Sequence, residues 1–201
     1  ISSNAIRRSF LAGLIVFLEG EPSAGLYVVE NGWLKSVKIT TTGREQVIRF
    51  VGPNEVFNDL GVFSGGPNRV TVETLEDASV WIIEKESLLQ MIERYPKLSQ
   101  MIIKNLSHRV LHLMHLVEDL SLRSVQSRLA RLLVEMGNSD VLPRRRWSTQ
   151  AEMAAHLGTV PDVLNRALRS LADEGLIEID RHKIEILNRQ GLEEKAMLVD
   201  Y

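Results

Sequence analysis

From Gly13 to about Glu84 the apolar residues come in short runs, LIVFLEG, GLYVVENG, WLKSVKIT, EQVIRFVG, RVTVETLED and SVWIIEK, parted by Glu-Pro-Ser, Asn-Gly, Thr-Gly and Gly-Pro turn signals. Alternation is imperfect, as in Leu34, Val37 and Ile39 or Val70 and Val72, so strand ends are set only to within a few residues. Several short strands at this spacing predict an antiparallel roll or barrel. Between Lys85 and Leu120 the period changes from two to that of a helix. ESLLQMIERY predicts a first helix, and Pro96 restarts the chain where a missing amide proton costs nothing. The second helix then runs to about Asp119, with Ile102, Leu106, Leu113, Leu116 and Leu120 on one stripe and Arg109 in the skipped place. Such a stripe can pack on the strands or on a second copy. A helix of about 24 residues rises about 36 Å, longer than a small roll needs, and this favours a dimer.

SLRSVQSRLARLLVEM, Ser121 to Met136, predicts a third helix, with Val125, Leu129, Leu132 and Leu133 on one face and Gly137-Asn138 at its end. The stretch near Glu118 to Ser124 is the candidate hinge. GNSDVLPRRRW crosses next as a loop with short extended pieces, into STQAEMAAHLGTVPDVLNRALRSLADEGLIEID. There Thr149 caps a helix, with Glu152 three places on, and Met153, Ala154 and Leu157 face inward. Gly158 makes the turn. The following helix opens near Thr159, carries Pro161 and Asp162 in its first turn, and buries Leu164, Leu168 and Leu171. LIEID and KIEIL around Arg181-His182 read as a two-stranded wing, and LNRQGLEEKAML as a closing helix. The expected fold is α+β: an N-terminal antiparallel β-roll with a long dimerisation helix over 1–119, and a C-terminal winged helix-turn-helix domain over 120–201.

Composition narrows the functions available. At 201 residues, 44% apolar and 25% charged, the chain suits two ordinary domains. It has no cysteine, which removes disulfides, thiolate metal sites, cysteine-ligated iron-sulfur clusters and thiol redox sensing together. No run approaches 18 apolar residues and ISSNAIRRSF lacks the apolar block of a signal peptide, so a cytoplasmic protein with no membrane partner is expected. The chain starts without Met, so its true N-terminus is expected to be cut away. The net charge of −2 conceals an asymmetry, for residues 121–172 carry eight arginines against the acids Glu135, Asp140, Glu152 and Asp162. A basic patch around a helix-turn-helix points to double-stranded DNA.

On the second helix of that motif Asp162, Asn165, Arg166 and Arg169 stand opposite the buried face. Arg166 can bond guanine O6 and N7 together, and Asp162 can accept from a cytosine amino group. The bland alternative is an Asp162 to Arg166 pair, worth tenths of a kcal/mol. Thr149, Gln150, Thr159 and Pro161 complete the residues expected at DNA, while Arg169, Arg123 and Arg128 read as phosphate or structural contacts. The run Arg144 to Arg146 beside Trp147 reads equally as a reach to flanking phosphates or as a solvated turn. His108, His112 and His115 form one stripe of the long helix, and imidazoles so spaced can share a metal or ligate haem iron, against exposed helix histidines as the plain reading. No acid-base pair, nucleophile arrangement or GxxxxGK[ST] loop is present, so no enzyme is expected.

Strands, long helix, arginine-bearing linking helix and winged helix-turn-helix, in that order, resemble the cyclic-AMP receptor protein / fumarate-nitrate regulator (CRP/FNR) family of bacterial transcription regulators across essentially the whole chain. The resemblance rests on GEPSAGLYVVENGWLKS, on EVFNDLGVFSGGPNRVTVETLED, which looks like the family's phosphate-binding cassette, and on TQAEMAAHLGTVPDVLNRALRSLADEGLIE. It implies a homodimer on a palindromic operator, RNA polymerase as partner if the protein activates, and a helix missing before Ile1. Cyclic-AMP-binding members carry Gly-Glu and Arg-Ser in the cassette and Thr-Ser on the long helix; Asn58-Asp59, Arg69-Val70 and Leu113-Met114 stand there in this chain. Only Arg69 is kept. Each lost hydrogen bond that leaves a ligand group unpaired costs about 1 to 3 kcal/mol, and three or four of them erase micromolar affinity. The resemblance therefore argues against cyclic AMP and assigns no cofactor. Asn58, Asp59, Arg69, Val70, Arg109, Leu113 and Met114 line either a pocket for another effector or one filled by its own side chains, with Arg69 then paired to Asp59 or another acid. The alternative function is a ligand-, haem- or metal-dependent sensor whose DNA binding is switched by an effector other than cyclic AMP.

Overall fold

The structure is a computed structural model, and it describes residues 5–136, 141–143, 149–180 and 183–197. Packing divides the chain into two compact units, Ile1–His108 and Arg109–Tyr201, and the long helix belongs to both.

The first unit is built from strands β1 (Ala5–Phe10), β2 (Ile15–Phe17), β3 (Leu26–Asn31), β4 (Leu34–Ile39), β5 (Glu45–Val51), β6 (Val56–Phe57), β7 (Thr71–Thr74) and β8 (Ala78–Ile83). They form two four-stranded antiparallel sheets, in the orders β1-β8-β3-β6 and β2-β7-β4-β5. Register places Tyr27 against Ile82 and Val29 against Val80 in one sheet, and Leu34 against Thr74 in the other. Between them Phe17, Tyr27, Val29, Leu34, Phe57, Val72 and Val80 are buried. The rings of Phe17, Tyr27 and Phe57 meet at centroid distances of 4.8 to 6.0 Å, so aromatic volume fills the interior. Six strands match the sequence expectation. Two were missed: β1, an edge strand exposed along most of its length, and β6, two residues long. Also missed was the short helix α1 (Asp59–Ser64), set between Asn58 and Gly65, which are both left-handed.

Helix α2 (Lys85–Arg94) turns at Tyr95, and α3 (Pro96–Leu122) begins on the expected proline. The predicted third helix starting at Ser121 is corrected. Ser121 and Leu122 extend α3, and a new helix, α4 (Val125–Met136), starts after Ser124, whose Oγ accepts the Ser127 amide at 3.1 Å. The second unit adds β9 (Val141–Pro143), α5 (Gln150–His156), α6 (Pro161–Asp173), β10 (Ile177–Ile179), β11 (Lys183–Ile186) and α7 (Arg189–Met197). Its sheet runs β10-β11-β9, so the wing is joined by an extended piece of the crossing segment. One core gathers Leu129 and Leu133 of α4, Met153 of α5, Leu164, Leu168 and Leu171 of α6, Ile184 of β11 and Leu192 of α7. Gly137-Asn138, Arg144 to Arg146, Trp147 and Arg181-His182 lie outside the described residues.

No residue of α3 is buried. Ile102, Leu106, Arg109 and Leu116 are half-buried, whereas Ile103, Val110 and Val117 stay 63%, 57% and 64% exposed. The apolar surface that the chain itself leaves uncovered is therefore turned by about one residue from the stripe read in the sequence.

Candidate nucleic-acid interface

Local chemistry fixes the two helices of the motif. Thr149 sits in extended conformation before α5, and its Oγ1 accepts the Glu152 amide at 3.1 Å. At the other end Gly158 takes φ +66, which lets the Thr159 amide reach back to Ala154 O at 2.9 Å and the Gly158 amide to Ala155 O at 3.3 Å. This pair of bonds stops α5 and re-aims the chain, and a glycine fits because a Cβ disfavours that φ. Pro161 then opens α6, with Asp162 in its first turn.

Helix α6 buries Leu164, Ala167, Leu168 and Leu171 and turns Asp162, Arg166 and Arg169 to solvent. Among the described residues Asp162 and Arg166 form no ion pair with each other, and Arg169 forms none either. Three charged groups on one helical face are thus held toward water by packing behind them rather than neutralised by neighbours. Asn165 differs. Its Nδ2 donates to Gln150 Oε1 at 3.2 Å, which ties the exposed faces of α5 and α6 together. The far end of α6 is held at Glu174, which accepts from Lys195 of α7 at 2.8 Å, from Gln126 of α4 at 2.7 Å and from Ser170 at 3.2 Å. The Lys195 bond, with those of Gln126 and Ser170, keeps the Glu174 carboxyl below its usual range.

The arginines of the linking region divide in role. Arg123 is nearly enclosed, pairs with Glu118 at 2.8 Å and Asp119 at 3.1 Å, and donates to Ala196 O, so its role is structural. Arg131 pairs with Asp119 at 3.0 Å and Glu135 at 2.8 Å. Arg128 pairs with none of the described residues. His108, His112 and His115 are exposed, and no group of His, Asp and Glu among the described residues could hold a metal ion. His156, which sequence reading passed over, is partly buried on α5, and burial first, then the nearby His112, lowers its pKa to about 4. Its position beside inward-facing Met153 and Leu157 was the available signal.

In the first unit Asn58 occupies the cassette position at φ +65, a conformation that Asn tolerates better than other residues with a Cβ. Its amide donates to Ser23 Oγ and Gly25 O, both at 3.0 Å, and so is consumed within the protein. Asp59 is buried and Val70 packs on the roll core. Arg69 is exposed and makes no ion pair among the described residues, so the expected pairing with Asp59 is not formed. Its guanidinium lies over Gly66, where an added Cβ would meet Nη2 at 2.8 Å. An open cavity of about 430 Å³ runs beside this turn, lined by Gly20, Ser23, Gly61, Gly66 and Lys85. Arg109, Leu113 and Met114 lie on the part of α3 that belongs to the second unit. No helix among the described residues is long and apolar enough to cross a membrane.

Residues 7–95 match the cyclic nucleotide-binding domain family, and residues 127–195 match the Crp-like helix-turn-helix domain family. Over 193 residues the chain is 26% identical to the "CRP-like cAMP-activated global transcriptional regulator" of Mycobacterium tuberculosis, covering 93% of this chain and 86% of that protein. It is 28% identical over 185 residues to the "Probable transcriptional regulator flp" of Lacticaseibacillus casei, covering 90% and 83%. Among solved structures FixK2 from Bradyrhizobium japonicum superposes with a TM-score of 0.83 at 23% identity, covering 96% of this chain and 98% of that one, which is a likeness of fold.

Proposed function

The chain belongs to the CRP/FNR family of transcription regulators, and from that premise we propose that it is a cytoplasmic homodimer that reads a palindromic DNA operator with α6 and does so without cyclic AMP. It acts by occupying DNA, not by turnover. The observation that carries the reading is the face of α6, where Asp162, Arg166 and Arg169 are exposed and uncommitted while Leu164, Leu168 and Leu171 anchor the helix from behind. Arg166 reads a guanine edge, Arg169 and the α5 N-terminus around Thr149 and Gln150 grip phosphates, and Asn165 positions Gln150. Residues 120–201 are the output domain; residues 1–119 are the effector-like part, with RNA polymerase as a partner where the operator lies next to a promoter.

The dimer forms through α3. Ile103, Leu106, Val110, Leu113, Val117 and Leu120 repeat at intervals of three and four, with β-branched residues alternating with leucine, the pattern that favours two parallel helices. The exposure of Ile103, Val110, Leu113, Val117 and Leu120 in the single chain, with Leu106 half-buried among them, supports this seam. Two such helices carry two copies of α6 to successive major grooves about 34 Å apart.

Independence from cyclic AMP is supported by the committed amide of Asn58, the loss of hydroxyls at Val70, Leu113 and Met114, and the outward Arg69. The cavity beside Gly66 favours, as a second reading, an effector of another kind bound next to the cassette. Equilibrium binding to a selected palindrome separates the two. Nanomolar affinity with no added effector, unmoved by cyclic AMP, is expected. Binding that requires cyclic AMP overturns the proposal.

A further inference from the structure

Asn165 Nδ2 of α6 donates to Gln150 Oε1 of α5 at 3.2 Å, and neither side chain makes another hydrogen bond among the described residues. The spacing is fixed from behind, because Met153 and Ala154 of α5 share one core with Leu164 and Leu168 of α6. A primary amide offers two N–H donors and one carbonyl acceptor. Once the bond is made, Asn165 keeps one N–H and its carbonyl, side by side in one plane, and Gln150 keeps both of its N–H groups. Gln150 is exposed and Asn165 half-buried, next to the exposed Asp162, Arg166 and Arg169.

We propose that Asn165 is a second base reader, for adenine, and that Gln150 is the residue that orients it. The inference rests on the reading of α6 as the helix that enters the major groove. There adenine presents an acceptor, N7, beside a donor, its N6 amino group, and an Asn amide meets both with its N–H and its carbonyl. Guanine presents two acceptors, N7 and O6. Asn165 has spent one N–H on Gln150 and has no second donor to give, so the bond turns a tolerant amide into a selective one. It also holds the amide plane before DNA arrives, which lowers the cost of ordering it on binding. The free N–H groups of Gln150 are left for a phosphate oxygen, so that base, Asn165, Gln150 and phosphate run in one line of hydrogen bonds. One helical residue rises about 1.5 Å against about 3.4 Å for a base pair, which puts this adenine beside the guanine of Arg166.

The test is operator selection from a random DNA pool with the unaltered full chain, Asn165→Ala, Gln150→Leu and Gln150→Glu, then equilibrium binding to the selected site with 7-deazaadenine, which lacks the N7 acceptor, in place of the adenine. Expected for the unaltered protein is an A·T pair beside the guanine in each half-site. Asn165→Ala and Gln150→Leu should lose about tenfold or more of the preference for that pair and keep the guanine. Gln150→Glu should keep the A·T preference, because a carboxylate still accepts from Asn165, while its charge beside phosphate weakens binding to every sequence alike. 7-Deazaadenine should weaken the unaltered protein about fivefold or more and leave Asn165→Ala unmoved. No A·T pair at that place, an undiminished preference for it in Asn165→Ala or Gln150→Leu, its loss in Gln150→Glu, or indifference to 7-deazaadenine overturns the proposal. If the guanine preference stands while these fail, the reading of α6 survives; a pool that yields no preference with any of the four proteins removes both.

Discussion

His156→Gln should flatten the acid side of the stability profile, and the structure sets how much. His156 is partly buried on α5, and burial first, with His112 nearby, lowers its pKa from 6.5 to about 4. In the unfolded chain it takes a proton near pH 6.5; in the folded chain it resists. Falling pH therefore favours the unfolded state, beginning below about 6.5 and saturating below about 4. At pH 5 the unfolded histidine is almost fully protonated and the folded one about a tenth so, which corresponds to a loss of about 2 kcal/mol relative to pH 7.5. The full difference of 2.5 pH units is worth about 3.4 kcal/mol. Glu118 and Glu174 are held below the usual carboxyl range, chiefly by Arg123 and Lys195 respectively, so their contributions are lost mainly below about pH 4.5, outside this window. Urea unfolding followed by helical circular dichroism at pH 7.5, 6 and 5, in phosphate-free buffer, measures the loss directly. The unaltered protein should lose about 2 kcal/mol more than His156→Gln between the end points. Equal losses in the two proteins refute the assignment of His156 as a neutral, partly buried group.

The chain contains no cysteine, so single cysteines report the dimer seam cleanly. Val110→Cys should give a covalent dimer under mild oxidation and Ile102→Cys should not; the reverse result moves the seam to the half-buried stripe. Leu164→Ala removes a fully buried side chain beneath the proposed reading face and should cost about 2 to 5 kcal/mol in urea unfolding, with DNA binding lost alongside. A loss under about 1 kcal/mol would mean that α6 is not anchored as described.

The elements easiest to see in the sequence were those whose periodicity and punctuation agree. Pro96, the Thr149 cap, Gly158 and Pro161 each mark a boundary that the structure keeps, because each acts through its own backbone chemistry. β1 escaped notice because Arg7 and Arg8 face outward from an edge strand and leave no apolar alternation to detect. The register of the α3 surface was hidden for another reason. Two adjacent apolar stripes, through Ile102, Arg109 and Leu116 and through Ile103, Val110 and Val117, share the leucines 106, 113 and 120, and only tertiary burial tells them apart. Of the DNA-facing set, the exposure of Arg166 was legible from helical spacing, whereas the Asn165 to Gln150 bond was not, since it joins residues 15 apart across a turn. That Arg123 and Arg131 both bond Asp119 while Arg128 forms no ion pair among the described residues could not be read locally, because it is decided by side-chain geometry.

Selection of operator sequences from a random DNA pool, run in parallel on the unaltered protein and on Arg166→Ala, tests most directly whether α6 reads DNA. A palindrome should emerge for the unaltered protein. Arg166→Ala should bind it more weakly by about 1 to 3 kcal/mol and lose discrimination at one base pair in each half-site. The same sequence preference at the same strength in both proteins would contradict the assignment of Arg166 as a base reader.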